Sequence, residues 1–320
     1  MKARSANVSI HRVGFTLIEI VVILAIIGVL GVLVLSSVQA VRASSRKIQC
    51  ANALRQIGIA LNSYATAVGC LPPGRTGDGF SHLVMILPNL GLLNFYNSFN
   101  FSAGFEPEWS SNATTRYTTV SLFLCPSDGL HATGKPGGWT NYAGNMGVGV
   151  QKYGYNGVFR SMGEGPVTLA MISDGASHTA AMSEWLTGPF SIRIRDPIRS
   201  TFLTPDRLTL PEQFDSFSKS CAALNTKTAF IINNSKGLDW SLGDFGQCFY
   251  NHTLQINKNT CLNGGAYQKG AWTASSGHSG GANVLFVDGT CRFLRETTAL
   301  AVWRALGSRN GREVISDDSF

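Results

Sequence analysis

Glu19 stands at the head of 22 residues that carry no charge, Ile20 to Val41. From Phe15 to Val38 the segment counts 24 residues, about 36 Å as a helix at about 1.5 Å per residue, enough to cross a hydrocarbon core. β-branched residues dominate it, yet lipid does not prevent a helix, because backbone groups there can be satisfied only within the segment. An unpaired carboxylate is costly in such surroundings, so Glu19 implies a partner or a specific task.

The flanks set direction. Residues 1–13 carry Lys2, Arg4 and Arg12 and no acid, which favours a cytoplasmic N-terminus. Loss of that leader would remove three of the 26 basic residues and none of the 19 acidic ones, lowering the net charge from +7 to +4. Arg42, Arg46 and Lys47 lie just past the apolar run, where anionic lipid attracts them. No basic patch is interleaved with aromatics, so a nucleic-acid partner is not expected.

Ser36-Ser37-Val38-Gln39-Ala40 imitates a signal-peptidase site only loosely, and the helical pattern runs on through it. Val41, Ile48, Leu54, Ile57, Leu61 and Tyr64 recur at helical spacings, with Arg42, Arg46, Lys47, Asn52, Arg55 and Gln56 between them. Pro72-Pro73-Gly74 then forbids continuation. The pattern predicts one helix of about 50 residues, roughly 75 Å long, with a transmembrane part over 15–38 and an amphipathic part over 39–65.

Beyond it, 320 residues leave room for one large domain or two modest ones. Candidate strands are Val84 to Leu87, Val120 to Cys125, Val167 to Ile172, Thr179 to Trp185, Ala282 to Val287 and Thr290 to Leu294. Asp288-Gly289 between the last two predicts a hairpin with a type I′ turn. The expected fold class is α+β: a long N-terminal helix laid on an antiparallel sheet that is apolar on one face. Residues 187–275 read as a loop-rich insertion held by Trp240, Phe245 and Phe249, and 301–320 as a tail. The seven cysteines contain no CxxC and match no zinc module. In an oxidising compartment they allow up to three disulfides, and Cys221, Cys248 and Cys261 share one region where a clasp would help.

Chemistry is sparse. His278 and Asp288 invite a His/Asp pair with Ser275, Ser276 or Ser279, but about 20 Å of extended strand separates them. The favoured role for His278 is structural, as a donor to a loop carbonyl, with a polar or metal contact as the other reading. Asp128, Asp174, Glu184 and Asp288 could converge on Ca²⁺, although Asx-turn capping suits Asp-Gly turns better. No HExxH and no phosphate-binding Gly loop occurs. No cofactor, metal or enzymatic activity is expected.

Gly14-Phe15-Thr16-Leu17-Ile18-Glu19 resembles the class III signal of type IV prepilins and pseudopilins. That resemblance implies a leader over 1–14, cleavage after Gly14 by a prepilin peptidase/N-methyltransferase, methylation of Phe15, and a subunit-assembly role for Glu19. Mature subunits would then pair each Glu19 with a neighbour's new ammonium. The chain is also similar to a pilin-like family abundant in planctomycete-type bacteria, the DUF1559 family. The similarity rests on His278-X9-Asp288-Gly289, Cys50 to Gly58, Cys125-Pro-Ser-Asp128, Asn141-Tyr-Ala-Gly-Asn145, and Asp174-Gly175 with Thr179 and Glu184. Ala51 and Ala53 depart from its pattern without touching the processing signal. The resemblance implies a soluble pilin-like domain over 66–300 with an H-X9-DG hairpin over 276–295. It also implies a single-pass inner-membrane protein with its body outside the cytoplasm. That protein would act with other pilin-like subunits as a minor component of a type II secretion or type IV pilus-like assembly. A membrane-tethered module binding glycan or protein through exposed Trp and Tyr of 187–275 is the alternative.

Overall fold

The computed structural model of the chain describes residues 16–103, 111–129, 137–149, 156–160, 163–205, 213–264, 270–313, 315–316 and 320. Gly14 and Phe15 lie outside them. The chain divides into two compact units, residues 1–45 and 46–320. Six helices are described: α1 (Leu17–Val68), α2 (His82–Met85), α3 (Leu93–Tyr96), α4 (Ala113–Arg116), α5 (Phe214–Ala222) and α6 (Leu300–Gly307).

In the first unit the apolar side chains of α1 point outward; Ile20, Leu24, Ile27, Leu30 and Leu35 are all exposed. The helix starts with a reciprocal cap. Thr16 donates its backbone N–H and its hydroxyl to the Glu19 carboxylate at 2.7 and 2.8 Å, and the Glu19 N–H donates to the Thr16 hydroxyl at 3.4 Å. Thr-x-x-Glu is the capping-box pattern, which satisfies orphan N–H groups of the first turn.

Within the second unit, Cys50, Leu54, Ile57, Leu61 and Ala65 of α1 form the buried stripe. Val41 and Ile48, expected on that stripe, are exposed. At about 100° per residue both sit on the side of the helix opposite Cys50. The helix stops at Val68, and the Gly69 N–H donates to the Ala65 carbonyl at 2.8 Å.

Among the described residues nine strands follow: β1 (Tyr142–Asn145), β2 (Ala180–Glu184), β3 (Thr201–Leu203), β4 (Ile231–Asn233), β5 (Phe249–Tyr250), β6 (Thr260–Leu262), β7 (Gly270–Ala271), β8 (Gly281–Phe286) and β9 (Cys291–Arg295). The main sheet has the order β5-β1-β2-β8-β9, antiparallel except for the parallel β1–β5 pair. Its sequence alternates between two cores. Leu285 and Val287 join Leu54, Ile57 and Leu61, whereas Ala282, Val284 and Phe286 join Trp303 and Leu306 of α6. The sheet is therefore covered on both faces, not one, which explains why Val284-Leu285-Phe286-Val287 is a continuous apolar run. The C-terminal stretch read as a tail begins with the helix that covers the second face. On the first face Gly58 lets α1 approach closely: a Cβ there would lie 2.7 Å from Leu285 Cδ1.

The β8–β9 hairpin forms with a different turn. Gly289 has φ +88° while Asp288 does not have positive φ; the Gly289 N–H donates to the Phe286 carbonyl, and the Phe286 N–H to Thr290. Three residues make the loop, and the left-handed Gly289 gives the bulge that such loops carry, in place of a type I′ pair. Three other predicted strands are helical turns. Val84 and Met85 belong to α2, where the Ser81 hydroxyl accepts from the N–H groups of Leu83 and Val84, and Ile86 and Leu87 form the turn after it; 121–123 and 169–171 are 3-10 turns. Short buried apolar runs have no period that separates the two outcomes.

Residues 187–275 contribute more than loops. β3, β4, β6 and β7 build a second sheet, ordered β4-β3-β6-β7, and the Cys221–Cys261 disulfide ties α5 to β6. β5 belongs to the main sheet, and Trp240, Phe245 and Phe249 enter the core that contains Leu54 and Ile57.

Candidate functional site

The polar groups singled out in the sequence meet, in part, at the seam between α1 and the main sheet. Cys50 lies on the buried stripe of α1. Cys125 follows the 121–123 turn, where its N–H donates to Asn141 Oδ1 at 2.9 Å. The two cysteines form a disulfide across 75 positions of sequence, closing a loop whose chain-entropy effect is about 4 kcal/mol. Glu184 ends β2 beside it and His278 lies in the turn before β8. Both are buried.

The Glu184 carboxylate accepts the backbone N–H of Asn283 and the Asn283 side-chain amide, each at 2.8 Å. His278 Nε2 lies 3.3 Å from Glu184 Oε1 and 3.7 Å from Cys125 Sγ. A carboxylate can only accept, so Nε2 carries the proton in this contact. The Ser276 hydroxyl accepts the His278 N–H at 3.0 Å and donates to the Gly281 carbonyl, which fixes the loop. Tyr142 donates to the Cys50 carbonyl at 3.3 Å; burial, reinforced by the Glu184 charge, pushes its pKa well above the ordinary tyrosine value.

Asp128 sits in a neighbouring network. It is ion-paired with Arg199 and accepts from the Thr187 N–H and hydroxyl, and from the Asn141 amide. Arg199 also donates to the carbonyls of Asp128 and Thr187. Removing one member would strand a buried charge. Asp174 serves elsewhere: its two oxygens accept the N–H groups of Gly311 and Arg312, and Gly175 beside it is left-handed. Exposed Asp288 accepts from the N–H and hydroxyl of Thr290, an Asx-turn contact.

The His278/Asp288 pair is therefore not made. The partner of His278 is a carboxylate from another strand, not a loop carbonyl. Nor do Asp128, Asp174, Glu184 and Asp288 converge. Among the described residues, Cys50, Cys125, Glu184 and His278 are the one group of three or more His, Cys, Asp and Glu ligand atoms that gathers, all within 4.8 Å of one another. Cys70, Cys248 and Cys291 are free. Burial raises the thiol pKa at Cys248 and, with the Glu184 charge, pushes Cys291 up to about 12, so both remain unreactive thiols.

Sequence reasoning missed Asn283 and Arg199 as site residues, and it named Asn141 only within a family stretch; no spacing links any of the three to its partners. The Thr16–Glu19 cap was missed as well, although Thr-x-x-Glu ahead of an apolar run is its signal. Lys47, grouped with Arg42 and Arg46 as lipid-facing, instead places its ammonium 3.1 Å from the centroid of the Phe293 ring on β9. The described Trp and Tyr residues of 187–275, Trp240, Trp272 and Tyr250, are buried in cores and offer no exposed aromatic surface.

Hydrogen bonds within the body take up the polar groups of this seam, and α1 is the one described helix long and apolar enough to cross a membrane. No curated protein and no solved structure matches the chain. A family model described as a protein of unknown function (DUF1559) matches residues 39–301, a span holding Cys50, Cys125, Glu184, His278 and the β8–β9 hairpin, and the chain belongs to that family.

Proposed function

We propose that this protein is a pilin-like structural subunit, cut after Gly14 and methylated at Phe15 by a prepilin peptidase/N-methyltransferase. Its anchor spans the inner membrane with the N-terminus cytoplasmic, and its body stands outside the cytoplasm as a minor component of a type II secretion or type IV pilus-like assembly. One observation carries the reading. A single helix, α1, presents bare apolar side chains from Leu17 to Leu35 and then buries Cys50, Leu54, Ile57 and Leu61 in the body. A cleaved signal would not be continuous with a core helix. Glu19 caps α1 through Thr16, and in an assembly its charge beside the span would also pair a neighbouring subunit's new ammonium.

Mass spectrometry of the protein purified from membranes tests it. The expected N-terminal peptide begins with methyl-Phe15, and mature protein that begins at Met1 or Lys2 would exclude processing. Among the described residues of 187–275 the Trp and Tyr side chains are buried, so glycan or protein binding there would not use them.

A further inference from the structure

The Cys50–Cys125 bond has unusual company for a structural disulfide: an imidazole nitrogen and a carboxylate oxygen, both buried and both beside the sulfurs. We propose that, when this disulfide is reduced, Cys50, Cys125, Glu184 and His278 form a tetrahedral Zn²⁺ site that replaces the covalent tie between α1 and the main sheet. The inference stands independently of the processing and assembly reading.

Geometry supports it first. Zinc bonds of about 2.0–2.3 Å place neighbouring tetrahedral ligands about 3.3–3.8 Å apart. The distance from His278 Nε2 to Glu184 Oε1 is 3.3 Å and to Cys125 Sγ 3.7 Å, so two edges of that tetrahedron already exist. The four ligand atoms fit within 4.8 Å, and the remaining requirement is separation of the two sulfurs once their bond is gone. Two thiolates, one imidazole and one carboxylate are a donor set that suits zinc over calcium or magnesium.

The support around the ligands points the same way. Asn283 holds the Glu184 carboxylate with two hydrogen bonds at 2.8 Å, and Ser276 holds the His278 backbone. Such outer contacts orient metal ligands and sharpen affinity. The four residues come from α1, the segment after the 121–123 turn, the end of β2 and the turn before β8, so the site exists only in the folded body. Metal binding there would be folding free energy.

The redox step balances simply. A donor dithiol transfers two electrons and two protons to the disulfide and closes to its own disulfide, leaving thiols at Cys50 and Cys125. Zn²⁺ then displaces both thiol protons to solvent, and the Nε2 proton shifts to Nδ1 to free the nitrogen lone pair.

The test uses the full chain in detergent micelles, carrying Cys221→Ser and Cys261→Ser to remove the other disulfide. A phosphine reduces the remaining bond, becoming its oxide with an oxygen from water, and Co²⁺ is added as a spectroscopic stand-in before Zn²⁺ competition. The expected result is one Co²⁺ per chain, with thiolate-to-cobalt charge-transfer absorption and the intense visible bands of a tetrahedral ion. Zn²⁺ should displace the Co²⁺ and raise the melting temperature of the reduced protein. Without reduction neither effect should appear. Adding Cys50→Ser and Cys125→Ser should abolish the bands, and Glu184→Gln, checked for folding in its oxidised form, should weaken binding more than about tenfold. The proposal is overturned if reduced protein shows no thiolate bands or if they persist without Cys50 and Cys125. Equal affinity of Glu184→Gln, equal binding by oxidised protein, or a reduced body that melts identically with and without Zn²⁺ would also overturn it.

Discussion

His82 stacks against Phe159 and Phe249, with ring centroids 4.2 and 5.3 Å away, and neither of its ring nitrogens has a hydrogen-bond partner. Burial lowers its pKa to about 3. His252 is likewise held at about 3, by burial that outweighs its bond to the Trp303 carbonyl. The unfolded chain takes up these protons near pH 6.5 and the folded one does not. The stability they represent is therefore complete above about pH 6.5 and is lost as pH falls toward 3. Asp244 acts in the opposite sense, since burial raises its carboxyl to about 6 against the pull of Arg75, but two groups outweigh one. The melting temperature should fall between pH 6.5 and 4. His82→Leu, which sacrifices no hydrogen bond, should make denaturant-measured stability shallower in pH by up to about 1.4 kcal/mol per pH unit; an unchanged slope would refute the assignment. Nothing in Ser81-His82-Leu83 announces this, because burial of a lone histidine is a property of the packed core. Glu19 is the contrary case, where Thr-x-x-Glu states both the cap and the helix start.

Among the elements, α1 was the most legible and its stripe the most informative. Leu54, Ile57 and Leu61 were read correctly because helical periodicity reports the buried face directly. Val41 and Ile48 were misplaced because, at about 100° per residue, they lie on the face opposite Cys50, a phase that a loose count of helical spacings does not register. Gly58→Val should push α1 off Leu285 and cost about 1–3 kcal/mol in denaturant unfolding, where a purely propensity-driven effect would be slightly favourable. At the other end, the two roles of Glu19 can be separated. Glu19→Gln keeps a capping-box side chain but removes the charge, whereas Glu19→Ala removes both. If Glu19 pairs with a neighbouring subunit's N-terminus, both variants should fail to co-purify with assembled subunits. Normal assembly of Glu19→Gln would reduce Glu19 to a cap. The strands were legible where a turn marked them, as at Asp288-Gly289. They were not where a buried apolar run was equally good as a helical turn, as at Val84 to Leu87.

For the whole molecule, the two disulfides differ in reach. Cys50–Cys125 ties α1 to the segment leading into the main sheet, and Cys221–Cys261 ties α5 to the second sheet. Replacing Cys50 and Cys125 by Ser should cost about 2–5 kcal/mol in chemical denaturation; a change below about 1 kcal/mol would show that hydrophobic packing alone secures the helix. The family model spans 39–301 and thus the body, so membership and the presence of a membrane-length helix are separate findings that agree. Length, charge and period along one chain are local quantities, and they were enough for the anchor, the continuing helix, the α+β class and the β8–β9 hairpin. Which cysteines pair, which carboxylate faces His278, and that α6 covers the sheet's second face are settled by residues up to 162 positions apart coming into contact. Such contacts are chosen by packing in three dimensions, and no local pattern around Cys50, Glu184 or His278 encodes them.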